Sequence, residues 1–312
     1  MTGDHAAPAP SGAQTTMTRP ARPLDIARAG QRARARRRAR LLLHGVPLLL
    51  FVFIAAVGPL VIDYDPVATR TSERLKPPGT VLKDGSIALL GTDQVGRNLL
   101  SQVLQGARIS LFVAVCTVLA AGVIGLVVGV LAGYYGGIID TVAMRIADIQ
   151  LGFPAILLAI LIAAMLGPSV LNVIITLSLA RWVTFGRVAR AATLTAKERE
   201  YVVAARSIGA TNAHLLLRHI VPSTISPLVV IATVEVGLVI ISEASLSFLG
   251  LGTPPDQPSW GLIVANGRGY LNTAWWISTM PGLALSLVVL ATGLFGDRLR
   301  DELDPRARTA RR

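Results

Sequence analysis

Charge is scarce in this chain, and cysteine, lysine and aromatic residues are scarcer still. Asp, Glu, Lys and Arg make up 15% of its 312 residues, against about 25% in an ordinary soluble domain. A fully solvated surface of the usual kind is therefore excluded. The one cysteine, Cys116, rules out a disulfide within the chain, and its place inside an apolar run reads as a small packing residue. The three lysines, Lys76, Lys83 and Lys197, each follow a residue other than glycine. A GxxxxGK phosphate loop is absent, and with it ATP hydrolysis by that route. The four histidines, His5, His44, His214 and His219, make no HExxH pair. His214 and His219, five apart on a short helix, read as poorly placed to share a metal ion. No GxSxG turn presents a nucleophile. The chain is expected to be non-catalytic, with neither cofactor nor metal.

What is abundant is apolar sequence. Hydrophobic residues make up 52% of the chain and the mean hydropathy is +0.58. Charges cluster between apolar runs of about 20 residues, the length that spans a bilayer as a helix. The formal charge of +12 raises the question of nucleic acid, but aromatic residues do not interleave with the basic ones, and membrane topology explains the charge better. Residues 1–40 read as a disordered, basic cytoplasmic tail, ending in Arg32, Arg34, Arg36, Arg37, Arg38 and Arg40. An arginine cluster beside a span retains that side in the cytoplasm; a nucleic-acid-binding tail is the rival reading. The run 41–62 exceeds a signal-peptide core and is expected to remain as the first of six membrane helices.

An extracytoplasmic loop, 63–107, follows. Thr92 or Asp93 can cap a short amphipathic helix over residues 99–104 there, a plain covering loop being the alternative. The second span, 109–134, carries Gly125, Gly129 and Gly133 on one face. Another helix can approach closely at such a face, within the chain or across a subunit interface. After a turn with Asp140 and Arg145, Gly167-Pro168 divides a long charge-free run into a third span, 146–166, and a fourth, 169–186. Arg181 falls near the cytoplasmic end of the fourth and is expected to snorkel, since an arginine at depth costs about 2.5–3.5 kcal/mol. The fifth span, 223–248, holds Glu235 and Glu243, whose uses could be ligand contact, proton handling or a structural hydrogen bond. Trp260, Trp275 and Trp276 in the next outer loop fit an interfacial aromatic belt. The sixth span, 277–295, precedes a cytoplasmic tail, 296–312. Basic residues concentrate on the side of both termini, which gives an all-α, six-pass protein, N-in and C-in.

Residues 187–222 form the only long polar segment inside this apolar chain. Residues 196–208 are good helix formers, with Tyr201, Ala204, Ala205 and Ile208 on one face. Gly209 suits a helix C-terminus. Thr211 or Asn212 can cap a second short helix through Ile220, and Pro222 is expected to stop it. An amphipathic loop on the bilayer surface and a docking element for a cytoplasmic partner both fit this grammar.

The segment resembles the EAA loop of ABC-importer permeases, with Ala204, Ala205, Gly209 and Pro222 at matching positions. It departs at Val203, where the motif has Glu, at His219, which takes the motif Ile position, and at Val221, which replaces Leu. Gly-Thr-Asp, Gly-Arg and Gly-Ala-Arg-x-Ser-Leu within residues 91–111, EASLSFLGLG at 243–252 and GDRLRDELDP at 296–305 are similar to the dipeptide/oligopeptide/nickel branch of those permeases, C-type. The resemblance covers about residues 89–306. It implies a MetI-like, type I permease whose five-helix core occupies 108–295. It also implies a homologous second permease as partner, two cytoplasmic ATPase subunits docked at the EAA-like loop, an extracytoplasmic binding protein, and a place in a bacterial cytoplasmic membrane. Tyr201, Ala204, Ala205, Gly209 and Pro222 would then couple to the ATPase, and Glu243 would have an architectural role near the pathway mouth. The alternative is an ion-coupled secondary transporter using Glu235 and Glu243, although no repeat relates the two halves.

Overall fold

The computed structural model describes residues 45–58, 60, 61 and 69–303. The expectations for the basic tail, its arginine cluster and residues 304–312 lie outside them. The helices run in the order α1 Gly45–Gly58, α2 Leu99–Tyr135, α3 Gly137–Leu151, α4 Ala155–Leu166, α5 Val170–Lys197, α6 Glu200–Ser207, α7 Asn212–Leu215, α8 Val221–Phe248, α9 Trp260–Gly267 and α10 Trp276–Leu303. A small antiparallel hairpin, β1 Thr80–Val81 with β2 Ile87–Ala88, lies in the loop before α2. Among the described residues, four helical stretches are long and apolar enough to cross a membrane: α2, α5, residues 212–248 and α10. The pair α3 and α4 makes a fifth if its bend is counted within one span, and α1 is apolar but shorter over its described residues.

The bundle is organised on α2 and α5, and the reason is steric. A Cβ on Gly125 would stand 2.4 Å from the Phe185 Cβ, and one on Gly129 would stand 2.3 Å from the Gly186 carbonyl oxygen. One on Gly133 would meet the Arg190 oxygen and the Thr193 Cβ at 2.9 Å each. All three glycines therefore admit the backbone of α5 of the same chain, as small residues do where membrane helices touch. α8 and α10 complete the core around Leu177, Ile240, Leu246 and Ile277, all buried. Large apolar residues such as Phe112, Leu119, Leu161 and Leu287 remain exposed on the outside, where lipid is the natural solvent.

Several expectations are corrected. The short outer helix is not separate. It is the first turns of α2, whose 37 residues measure about 55 Å at 1.5 Å per residue. Asn98, not Thr92 or Asp93, caps it, accepting from the Leu100 N–H. Asp93 is occupied instead by Val95, Arg97 and Gln102. The third span is not straight: α3 and α4 meet at 91°, because Gly152 ends one helix and Pro154 opens the other. Asp140 and Arg145 lie within α3 rather than in a turn. α5 does not end at Gly186 but runs on through the Ala-rich stretch to Lys197. Trp260 and Trp276 are buried, donating to the Val103 and Thr92 carbonyls, and only Trp275 is exposed. An indole N–H that finds a carbonyl inside the outer loops has no need of the lipid headgroups.

Pro222 stops nothing. Residues Leu216–Ile220 wind as a π-helix, and the Val221 N–H reaches the Leu216 carbonyl. This wide turn absorbs one extra residue just ahead of the proline, which then sits in the first turn of α8, where its missing N–H costs little. The same widened turn puts the His214 and His219 rings 5.7 Å apart, closer than residues five apart come on a regular helix.

Candidate functional site

At the joint between α5 and α8 the chain makes an elbow. α5 ends at Lys197, Arg199 is extended with ψ 141°, and α6 begins at Glu200 rather than at Ala196. α6 carries an acid in its first turn and Arg206 in its last, the arrangement that complements the helix dipole. Gly209 follows with φ +90° and open space where a Cβ would stand. Its glycine is thus required by backbone conformation, not by crowding. Thr211 caps α7 by accepting from the His214 N–H.

The elbow is held to the bundle from one side only. Val202, Leu215 and Ile220 are buried. The Tyr134 hydroxyl donates to Asn212 Oδ1 at 2.7 Å, the Arg206 guanidinium lies over the Tyr134 ring, and Lys197 Nζ donates to the Gly133 carbonyl. Among the described residues the opposite side makes no contact with the bundle, Tyr201 touching only the His219 ring of the elbow itself. Tyr201 is 44% and Ile208 88% exposed, Ala204 is exposed and Ala205 half-buried. Of the residues singled out in this segment, Tyr201, Ala204, Ala205 and Gly209 share the elbow, whereas Pro222 is exposed at the start of α8.

Two carboxylates stand within α8. Glu243 is fully buried and accepts from Ser110 Oγ on α2 at 3.1 Å and from Ser247 Oγ at 2.7 Å. Ser259 Oγ donates on to Ser247 Oγ, capping α9 at the same time. Two stretches noted separately in the sequence, one containing Ser110 and the other running from Glu243 to Gly252, are therefore one hydrogen-bonded unit. Glu235 lies two turns away. Arg181 NH1 stands 3.4 Å from its Oε2 and NH2 donates to Ser242 Oγ at 2.8 Å. The expectation that Arg181 snorkels is thereby corrected. Because α5 continues to Lys197, Arg181 is near its middle and faces protein.

Residues that the sequence did not flag complete the picture. Gln150, beside the bend between α3 and α4, accepts from the Trp182 indole at 2.8 Å and donates to the Leu179 and Ala180 carbonyls. An amide in a charge-free run, one of two with Asn172, was the available signal. Arg190 pairs with Asp140 through two hydrogen bonds, joining α5 to α3. Behind the elbow, a cavity of about 950 Å³ runs between α5, α8 and α10. Arg199, Asp297 and Arg300 lie at its elbow end, Val188 and Ile231 along its walls, and Glu235 at its inner end.

A bundle of membrane-length helices, carrying an elbow bare on one side and a cavity behind it, marks an integral-membrane protein with a face for a partner. Residues 125–309 match the family described as the binding-protein-dependent transport system inner membrane component. The chain belongs to that family, and is a multi-pass inner-membrane permease subunit of an ABC importer. It is 40% identical over 263 residues to the di/tripeptide transport system permease protein DppC of Pseudomonas aeruginosa, covering 84% of this chain and 87% of that protein. It is 39% identical over 265 residues to the glutathione transport system permease protein GsiD of Pectobacterium atrosepticum, covering 85% and 86%. A chain of the MetNI methionine ABC transporter, in inward-facing conformations, has the same fold, with a TM-score of 0.53 and 21% identity over 65% of this chain and 96% of that one. Membership implies an ATPase partner and a substrate-binding protein, and does not favour a self-sufficient ion-coupled transporter.

Proposed function

We propose that this chain forms half of the translocation pathway of a peptide importer and takes its drive at the elbow. A homologous second permease forms the other half, two ATPase subunits seat on the elbows, and an extracytoplasmic binding protein delivers the peptide. The observation that carries this reading is the one-sided exposure of α6. Tyr201, Ala204 and Ile208 turn away from the bundle while Val202 fixes the helix to it. A small-residue face admits a partner's backbone, and rigid attachment lets a push on α6 move α5 and α8. ATP-driven closure of the ATPase pair displaces the elbow, and the spans switch between inward-open and outward-open states. The energy comes from nucleotide binding; this chain transmits it. Glu243, with its serines, is an architectural tie between α2, α8 and α9. The peptide class is drawn from the named activities of the relatives.

The test is Gly209→Val in the assembled importer, reconstituted with its partners. A β-branched residue held at positive φ costs about 1–2 kcal/mol, so the turn relaxes and the lever is misaligned. ATP-driven uptake is expected to fall at least about tenfold, while the amount of chain in the membrane stays normal. Uptake at the wild-type rate would remove the coupling role.

A further inference from the structure

The Arg181–Glu235 pair is longer than the other two ion pairs that α5 makes with its neighbours, in which Arg187 meets one oxygen of Asp148 at 2.5 Å and Arg190 meets Asp140. Arg190 grips both oxygens of Asp140, as a purely structural bridge does. Arg181 meets only one oxygen of Glu235, at 3.4 Å, longer than the 2.7–2.9 Å of a well-made charge-assisted hydrogen bond. Its better bond goes to the neutral Ser242 hydroxyl. Among the described residues, Arg181 supplies the only hydrogen bond that Glu235 accepts. Charges at mid-span are expensive to retain and mark sites of function, and a loosely joined pair leaves each partner with capacity for a third group. Glu235 lines the 950 Å³ cavity and Arg181 adjoins it through Glu235, 3.4 Å away; the cavity's size falls in the roughly 300–1,000 Å³ range of small-ligand pockets.

We infer that Glu235 and Arg181 are a peptide subsite inside the span, in which Glu235 accepts the amino-terminal ammonium and Arg181 donates to the adjoining carbonyl oxygen. The inference rests on the peptide reading above and adds a recognition site within the permease. A ligand that brings both a cation and an acceptor can enter between the two charges without stranding either, which neither a sugar nor a bare metal ion does. The apolar walls formed by Val188, Ile231 and Val234 accept small side chains without selecting among them. Arg199 and Arg300, against the single Asp297, leave the elbow end net positive where the peptide's carboxylate leaves.

The test uses the complete importer in lipid nanodiscs, without nucleotide and without the binding protein, titrated with radiolabelled alanyl-alanine and its N-acetylated form. The wild type is expected to bind the free peptide saturably and at least about tenfold more tightly than the acetylated one, the worth of one charge-assisted hydrogen bond. Glu235→Gln is expected to lose that preference, binding both forms alike. Val234→Trp, which puts bulk into the cavity wall beside Glu235 and leaves the charged pair in place, is expected to abolish binding of both and keeps the question open to refutation if Glu235→Gln folds poorly. Absence of saturable binding in the wild type, an undiminished preference in Glu235→Gln, or full binding in Val234→Trp would each overturn the subsite. Uptake of alanyl-alanine by the wild type with its binding protein separates the two readings. Uptake without binding at this site sinks the subsite alone, and no uptake sinks the peptide reading.

Discussion

Glu243 and Glu235 are two acids of one helix, eight residues apart, with opposite surroundings. Glu243 is enclosed by Ser110 and Ser247, each donating a hydrogen bond, so its shell is complete. Replacing it with alanine leaves buried hydroxyls without their acceptor, at about 1–3 kcal/mol. Glu243→Ala is therefore expected to lower the melting temperature of the purified importer and to weaken transport. Glu243→Gln, which keeps an acceptor, should lie between it and the wild type. A melting temperature unchanged in Glu243→Ala would refute the architectural role. Nothing in the residues near Glu235 announces Arg181, which is 54 positions earlier and lies deeper than its place in the sequence suggests. The depth of Arg181 depends on where α5 ends, and α5 runs through the Ala-rich turns beyond Gly186 to Lys197.

At the scale of elements, contact between α2 and α5 sets the frame. Gly129→Val puts atoms where the Gly186 carbonyl and the Ala189 methyl already are, at 2.3 and 2.7 Å from a first added carbon. The two helices must separate. Gly122→Ala, whose added carbon would lie 3.8 Å from the Phe185 ring, is an ordinary contact. Expression followed by size-exclusion chromatography should give a monodisperse peak for Gly122→Ala and loss of folded material for Gly129→Val; equal behaviour would deny the close approach. The four-residue glycine spacing was legible, and so were the fifth and sixth spans, because long apolar runs set helix existence strongly. The joints were not. A helix that continues from the outer loop into the span, a 91° bend and a π-turn before Pro222 are all decided by what neighbouring helices allow, and local propensity is nearly neutral between the outcomes.

For the whole molecule the decisive matter is sidedness. The proposed drive requires the elbow to face the ATPase, so a cysteine placed at the exposed Ile208 position in a Cys116→Ala background should react with a membrane-impermeant maleimide in inside-out vesicles and not in right-side-out ones. The reverse pattern would put the elbow on the far face and remove the proposed drive.

The chain's own composition determined that it is a helical membrane protein, because apolar runs with few charges have no stable alternative to spanning helices. Its central polar segment likewise pointed to a break between two short helices, since Gly209 suits a helix C-terminus and Thr211 or Asn212 suits the start of the next. Only tertiary packing decided which charge meets which, that Arg181 lies at mid-span beside Glu235 and that Ser110 closes the shell of Glu243. Partners so distant along the chain are chosen by the close approach of helix backbones, and no local pattern encodes that.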